Sequence, residues 1–429
     1  MNTRETARTN AESAAFQDGR KVCPFDHHST EYATGHREIF QELREAGPVV
    51  WSEAYGGFWI ANDFEHASAV LQDSESFTIE AVDSDTEGGS LIPTPPKAAW
   101  LSPGNTLFNF FDGPRHETVR TALNPHFSRR RLKAMEGAIK SRVDQVLDQV
   151  SSLPEFDIVY DLASPIVAGI VNDHMGFGLD DPAPIFRAMS DQSHDKKAEV
   201  DDQAIVTFKD GWIYLGEVVR ARRAEPRNDV ISALVLANDG QFTDYEIQGM
   251  CTNIIFGAAD TAAALTAHSL TFLADRPDLR AKLRDDPKQI PVFVREGLRY
   301  FNVAMGVARS AKRDIELGGV KIRRGDRVFA LLPSANLDPA RYDHPDEFDI
   351  SRGAVPHLGF GAGEHTCLGA GLAQALVGAV IQAVLERVET YSIDTARVVG
   401  NSDKSFINLF HSAPMRIESL REPTAQARA

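Results

Sequence analysis

The residues best suited to chemistry lie in one decapeptide, Phe360–Gly369, which reads FGAGEHTCLG. Its cysteine, Cys367, follows a glycine-rich turn and precedes a long apolar pattern of helical period. A thiolate that binds a metal needs its negative charge stabilised, and a helix N-terminus with free loop N–H groups provides this. Glycines would let the backbone turn tightly against a large flat ligand. We therefore predict that Cys367 is a metal ligand.

The other cysteines narrow the kind of metal site. The chain has three cysteines, Cys23, Cys251 and Cys367, and none lies near another in sequence. Iron–sulfur clusters and structural zinc sites need several closely spaced ligands, so both are disfavoured. A single thiolate suits a haem iron held from one face. The alternative from these residues alone is a glycine-rich turn that caps a core helix and buries an inert cysteine.

A second candidate site lies in the middle of an apolar helix. A capping box over residues 243–246 starts this helix, which is predicted to run to about Asp275. Asp260 is the only charged residue between residues 247 and 274. A buried carboxylate is costly unless it is partnered or functional. Thr261 follows directly, and its hydroxyl could bond the helix backbone and open the helix locally.

Composition and charge exclude several classes of protein. The chain has 429 residues, 43% of them hydrophobic, which is ample for a large core, and no linker divides it. The net charge of -16, without a basic tail or stripe, argues against a nucleic-acid partner. Residues 1–21 are polar and lack the apolar stretch of a signal peptide or membrane anchor. We expect a cytoplasmic protein with no membrane partner.

The decapeptide resembles the haem-binding loop of the cytochrome P-450 superfamily, Phe-Gly-x-Gly-x-His-x-Cys-x-Gly, at every defining position. The resemblance covers roughly residues 35–418 in the order of the family's motifs. It implies a mainly α fold with small β-sheets, and haem b between the long central helix and the helix after Cys367. It also implies one domain over residues 31–420, preceded by a flexible arm (1–30) and followed by a tail (421–429).

The resemblance also assigns site residues. The segment Asp112-Gly-Pro-x-His116-x-x-x-Arg120 resembles the family segment that binds haem propionates. Arg309 matches the third propionate ligand, and Glu296-x-x-Arg299 matches a buried structural ion pair. The remaining residues expected at the haem, with Cys367 on the iron, are Ala258, Phe360, Gly361, His365, Cys367 and Gly369. The chain departs from the family pattern at Ala258, where glycine is usual, and at Leu337, where arginine is usual.

Candidate substrate contacts come from four segments that line the pocket in the family. The first segment, residues 81–105, is a long irregular loop that would alternatively be a mobile surface loop. The predicted contacts are Leu91, Ile92, Trp100, Leu101, Ile255, Phe256, Ala259, Val303, Ala304, Met305 and Leu409. Because these residues are apolar, we expect a small and largely apolar substrate.

The activity that the resemblance implies is insertion of one oxygen atom of O2 into a C–H bond. Asp260 and Thr261 would deliver the protons. The chain shows no flavin or nucleotide domain, so electrons would come from a separate ferredoxin and its reductase. The donor would dock near the cluster Arg129-Arg130-Arg131-x-Lys133, which is alternatively a solvated basic patch.

Two other classes use the same thiolate ligand. One is a peroxygenase or isomerase that needs no electron donor, and the other is a non-catalytic haem-thiolate sensor. Retention of Asp260 and Thr261 argues against both, because that pair serves dioxygen activation in the family. The chain also shows no appended DNA-binding or signalling module, which a sensor would be expected to carry.

Overall fold

The structure is a computed structural model and describes residues 16–17, 20–80, 82, 107–194, 202–400 and 407–421. Most of these residues are helical. The α-helices are α1 Thr30–Ala46, α2 Phe64–Gln72, α3 Gly113–Leu123, α4 Arg129–Ser151, α5 Ser164–Met175, α6 Ala183–His194, α7 Asp202–Ala224, α8 Val230–Leu236, α9 Asp244–Ala259, α10 Thr261–Ala274, α11 Pro277–Asp285, α12 Ile290–Tyr300, α13 Leu332–Asn336 and α14 Ala370–Arg387.

The strands are short and form small sheets. They are β1 Phe16–Gln17, β2 Arg20–Cys23, β3 Val49–Ser52, β4 Phe58–Ala61, β5 Phe77–Thr78, β6 Phe156–Asp157, β7 Val307–Ala311, β8 Ile315–Leu317, β9 Val320–Ile322, β10 Arg327–Ala330, β11 Val388–Ile393, β12 Val399–Gly400, β13 Phe410–Ser412 and β14 Pro414–Leu420. The largest sheet has the order β1-β2-β3-β4-β10-β7-β5. The prediction of a mainly α fold with small sheets is confirmed.

The largest sheet joins distant parts of the chain. Strands β3 and β4 form an antiparallel hairpin, with Val50 opposite Ile60. Strand β10 pairs with β4 on one side and with β7 on the other, so it brings Arg309 into the sheet. Strand β2 pairs in parallel with β3. Strands β1 and β2, which lie within the arm predicted over residues 1–30, thus belong to this sheet.

The central helix is divided. The capping box is present, with Glu246 N–H donating to the Thr243 hydroxyl and the Glu246 carboxylate accepting from Thr243 N–H. Helix α9 ends at Ala259 and α10 runs from Thr261 to Ala274, so the helical segment reaches the predicted end near Asp275 but is broken at Asp260. The Thr261 hydroxyl donates to the Gly257 carbonyl at 2.7 Å, which is the local opening expected from a hydroxyl at this place.

Helix α14 follows the Cys367 loop and lies inside the main core. It packs against α4, α10 and α12, and Leu376, Val377, Val380 and Ile381 are buried. Within the described residues it is the one helix long and apolar enough, by length and composition, to cross a membrane. Its packing explains the apolar composition, since a core helix needs apolar residues on several faces.

Candidate active site

The Cys367 loop is a tight turn held by its own backbone. The Cys367 N–H donates to the Phe360 carbonyl at 3.0 Å, which closes the loop. Gly361 and Gly363 have φ of +68° and +72°, values that favour glycine. At Gly363 a Cβ would also lie 2.3 Å from the Leu71 carbonyl oxygen, so a side chain there would collide with α2. The glycines are thus needed to place Cys367 just before α14.

Cys367 differs from the other cysteines in its surroundings. It is exposed, whereas Cys23 and Cys251 are buried. Nearby protein still raises the pKa of the Cys367 thiol by desolvation, but N–H groups of Gly369 and Ala370 and the charge of Arg120 oppose this. Burial raises the pKa of Cys23 to about 11 and that of Cys251 well above its ordinary value. Only Cys367 therefore combines access with groups that stabilise a thiolate.

Four groups that can carry positive charge surround this loop. Arg120 donates to the Thr366 carbonyl at 3.0 Å, and the His116 ring stacks on the His365 ring at 4.2 Å between centroids. Burial lowers the pKa of His116 to about 4, and the charges of His365, Arg120 and Arg309 act in the same direction. The structure thus brings together four of the predicted haem-binding residues.

Asp112 is the carboxylate next to this cationic group. Its Oδ1 lies 2.7 Å from His365 Nε2, and its Oδ2 accepts from the Thr78 hydroxyl and from Ile79 N–H. Burial alone would raise the pKa of Asp112, but these hydrogen bonds hold it well below its ordinary range. The side chain therefore carries a negative charge that is already hydrogen-bonded within the protein. Sequence reasoning quoted Asp112 only as part of a motif and missed this role.

Arg309 is the clearest test of whether the residues fit a haem. It is 6% exposed, and its guanidinium donates to the Ala308 carbonyl at 2.8 Å. Among the described residues it forms no ion pair within 4.0 Å. Burial lowers its pKa to about 10, and the charge of Asp112 opposes this only in part. A buried guanidinium without a carboxylate is costly, so this arrangement fits a ligand that brings carboxylates, as haem does.

The predicted structural ion pair is present and buried. Arg299 Nη2 lies 2.6 Å from Glu296 Oε1, and their side chains are 2% and 6% exposed. Arg352 Nε also reaches the same Glu296 oxygen, at 3.3 Å. Leu337, where the family usually has arginine, packs in a core cluster instead. The ion pair therefore stands without an arginine at that position.

The break between α9 and α10 carries the second candidate site. Asp260 lines a cavity with Ala259 and Leu409, and Tyr160 and Arg187 lie on its other walls. The Arg187 guanidinium lies 4.4 Å from the centre of the Tyr160 ring. Arg187 was not predicted from the sequence, because no local pattern indicates that α6 lies against the end of α9.

The predicted substrate contacts have mixed outcomes. Ala259 and Leu409 line the same cavity, and the backbone of Val303 accepts from Asn408 N–H at 2.8 Å. Ala304 forms a β-bridge with Ile407, which brings the two segments together. Leu91, Ile92, Trp100 and Leu101 lie outside the described residues.

Two further predicted contacts, Met305 and Ile255, are buried among apolar side chains of the protein. Met305 is 4% exposed and belongs to the core cluster under the largest sheet, with Phe58 and Phe329. Ile255 is 3% exposed, lies in the main core, and is two residues from Gly257, hence on the opposite side of α9. Phe256 is half-buried and adjoins the Gly257 face, so it remains a candidate.

Comparison with known proteins agrees with this geometry. The sequence profile of the family described as Cytochrome P450 matches residues 170–407. Nocardicin C N-oxygenase from Nocardia uniformis subsp. tsuyamanensis is 32% identical over 333 residues, which cover 77% of this chain and 81% of that protein. The biotin biosynthesis cytochrome P450 from Bacillus subtilis (strain 168) is 27% identical, covering 85% of this chain and 92% of that protein.

A solved structure extends the similarity to the whole fold. The crystal structure of P450BioI in complex with an acyl carrier protein ligated to hexadec-9Z-enoic acid matches with a TM-score of 0.79 and 25% identity. The match covers 91% of this chain and 99% of that chain. Profile, relatives and fold all agree with the arrangement around Cys367. The chain therefore belongs to the cytochrome P450 family and is a haem-thiolate monooxygenase.

Proposed function

We propose that this monooxygenase hydroxylates, or otherwise oxidises, a small and largely apolar organic substrate, and that its haem is haem b. The observation that carries the haem assignment is the set of Arg and His side chains at the Cys367 loop, with Arg309 buried and forming no ion pair among the described residues. Haem b has free propionates that would supply the negative charge. A haem with a thiolate ligand supplies the chemistry of O2 activation and O–O cleavage.

Each protein group would hold the haem in a stated way. Cys367 would bind the iron, since its sulfur accepts N–H groups from Gly369 and Ala370 and faces the charge of Arg120. His116, Arg120, Arg309 and His365 would bind the propionates. Asp112 would hold His365 Nε2 and so direct the other ring nitrogen away from itself. The residues that would lie against the ring are Ala258, Phe360, Gly361 and Gly369.

Protons would move through the break in the central helix. The Thr261 hydroxyl is held by the Gly257 carbonyl and keeps its lone pairs for a further hydrogen bond. Asp260 precedes it and lines the cavity that Tyr160 and Arg187 also line. A carboxylate in this place can take up a proton and pass it toward the Thr261 hydroxyl. We therefore assign proton delivery to Asp260 and Thr261.

The electron donor would be a ferredoxin that docks near α4. Arg129, Arg130 and Lys133 are exposed, and none of them forms an ion pair within the described part of the chain. A Cβ at Gly371 would lie 2.6 Å from Leu132 Cδ1, so this end of α4 packs on the start of α14. The exposed basic residues are therefore near the Cys367 loop. A soluble ferredoxin donor would place the protein in the cytoplasm.

The first experiment asks for the ligand and the oxidant. The reduced protein with carbon monoxide should show the absorption band of a thiolate-ligated haem. Cys367→Ser should abolish that band, whereas Cys23→Ser should retain it. Turnover should need a ferredoxin system with O2, and equal turnover with peroxide alone would instead favour a peroxygenase. Extraction and chromatography of the pigment should yield haem b.

The second experiment asks whether Asp260 and Thr261 move protons. Thr261→Ala should still consume reductant and O2 but release hydrogen peroxide in place of product. Asp260→Asn should slow the consumption of O2 itself, because proton delivery is impaired. The measurement is product and peroxide formed per reductant oxidised. A Thr261→Ala enzyme that remains fully coupled would contradict the assignment.

A further inference from the structure

One polar residue of α9 has no role in the function described so far. Asn253 stands in an apolar helix, four residues before Gly257 and eight before Thr261. Residues at this spacing share one face of a helix. Gly257 is exposed, and a Cβ built on it would meet no atom within 4 Å. Asn253 therefore lies on the open face of the central helix that also carries Thr261.

The orientation of the Asn253 amide follows from its hydrogen bond. Its Oδ1 accepts from the Asn109 backbone N–H at 3.1 Å. A backbone N–H can only donate, so the oxygen must face Asn109 and the nitrogen Nδ2 must point elsewhere. Within the described residues, Nδ2 of Asn253 donates no hydrogen bond and is not among the buried polar atoms without a partner.

The other amide of α9 shows the contrast. Gln248 is buried, and its Nε2 donates to the Trp212 carbonyl at 2.8 Å. Its polar group is thus satisfied by the fold. Asn253 uses its oxygen in the fold, but neither N–H group of its Nδ2 has a hydrogen-bond partner in the part of the chain that the structure describes. The bond to Asn109 N–H needs only the acceptor oxygen of Asn253. It therefore does not explain why the side chain also carries the donor Nδ2.

We propose that Asn253 is a specificity-determining residue that donates from Nδ2 to an oxygen atom of the substrate. The ligand class is an apolar molecule that carries a carbonyl or hydroxyl oxygen. The proposal rests on the proposed function, because it takes Thr261 to mark the place of oxidation. Eight residues of helix span roughly 12 Å, so the oxygen and the oxidised carbon would lie at distant points of the same skeleton.

The test measures binding to the resting holoenzyme, without an electron donor. Matched pairs of probes are 2-tridecanone with tridecane and androstan-3-one with androstane. Dissociation constants come from the shift of the haem absorption band. The wild-type protein should bind at least one ketone about tenfold more tightly than its hydrocarbon, the ratio expected for one added hydrogen bond.

Three variants separate recognition from structure. Asn253→Asp keeps the shape and the acceptor for Asn109 but loses the donors, and Asn253→Leu loses both. In each variant the ratio for that pair should fall to about one, while the hydrocarbon binds as well as before or better. Asn109→Ala keeps the backbone N–H that orients Asn253, so it should keep the preference for the ketone. Each variant is first checked for the carbon-monoxide band of the intact haem site.

Two results would overturn the proposal. One is a wild-type protein that binds ketone and hydrocarbon equally in both pairs. The other is an Asn253→Leu protein that keeps the ketone preference. Neither result depends on turnover, so they differ from failure of the proposed function, which would appear as absence of product with every substrate and donor.

Discussion

Two buried groups of charges in this protein have opposite states of pairing. In the first, Arg299 makes five hydrogen bonds, to both oxygens of Glu296 and to the carbonyls of Asn336, Pro345 and Glu347. In the second, Arg309 is also buried, but within the described residues its side chain makes one hydrogen bond, to the Ala308 carbonyl. The first guanidinium is satisfied by the fold, and the second is not. The difference separates a structural ion pair from a site prepared for an anionic ligand.

The comparison is tested most strongly at Glu296. Glu296→Gln leaves the buried Arg299 and the half-buried Arg352 without the charge of Glu296, and removing one partner of a buried pair costs about 3–5 kcal/mol. We expect the free energy of unfolding to fall by this amount with or without haem. The measurement is denaturant unfolding of both forms.

The control for this change is an exposed ion pair. Asp346 lies 3.2 Å from Arg37 and its side chain is 72% exposed. Asp346→Asn should change the free energy of unfolding by less than about 1 kcal/mol. If Glu296→Gln changed it no more than this control does, Glu296 would not be the structural partner that its geometry indicates.

A third buried group, the imidazole of His174, is neutral. It should make the free energy of unfolding depend on pH. His174 is 3% exposed, neither ring nitrogen has a hydrogen-bond partner within the described structure, and its ring packs on Phe127 at 5.0 Å. Burial lowers its pKa to about 4, with Arg131 and His126 acting in the same direction. The ordinary value is 6.5, so the unfolded chain binds more protons between these two values.

The free energy of unfolding should therefore fall as the pH is lowered from about 6.5 to about 4, by at most about 3 kcal/mol from this residue. His174→Leu cannot titrate and should flatten this part of the stability profile. Burial also lowers the pKa of His357 to about 4, so some slope should remain. An unchanged slope in His174→Leu would show that His174 is not the residue responsible.

Sequence predicted the parts of the site that depend on local patterns. The Cys367 loop, the capping box and the Glu296–Arg299 pair each lie within a few consecutive residues, so spacing alone carries the information. The surroundings of Met305, Ile255 and Asn253 could not be predicted from the sequence, because the face that each presents depends on packing between distant segments. The local opening of the helix at Asp260 was expected, because a hydroxyl such as that of Thr261 can bond the backbone of its own helix.

Removal of the Arg309 charge should have the opposite effect on stability to removal of the Glu296 charge. Arg309→Met keeps the volume but removes a buried, unpaired charge, so the haem-free protein should be as stable as before or more stable. Loss of one charge-assisted hydrogen bond of about 1.5–3 kcal/mol should instead speed the transfer of haem to apomyoglobin, by roughly ten- to hundredfold. Arg299→Met is the matched change in the structural pair and should lower the stability of the haem-free protein. Unchanged haem transfer in Arg309→Met combined with Arg120→Ala would contradict the propionate assignment.

The smallest effect is expected for the exposed basic residues at the start of α4, which belong to neither buried group of charges. The cluster predicted for donor docking needs correction at Arg131, which is half-buried with its Nε hidden and without a hydrogen-bond partner within the described residues. Arg129, Arg130 and Lys133 remain exposed. Exposed charges are screened over about 10 Å at 0.1 M salt, so reduction by an acidic ferredoxin should slow as salt rises.

Changing Arg129, Arg130 and Lys133 together to glutamine should slow reduction several-fold at low salt and have little effect at high salt, since each exposed pair contributes only about 0.2–1 kcal/mol. The measurement is the second-order rate of haem reduction by stopped flow across a range of salt. Lys140, on the same helix, pairs with Asp144 at 2.8 Å, so Lys140→Gln is a control of equal charge change further along α4. A rate that does not depend on salt would exclude electrostatic docking altogether. Equal slowing by Lys140→Gln, per charge removed, would mean that overall charge matters and that the start of α4 is not the docking site.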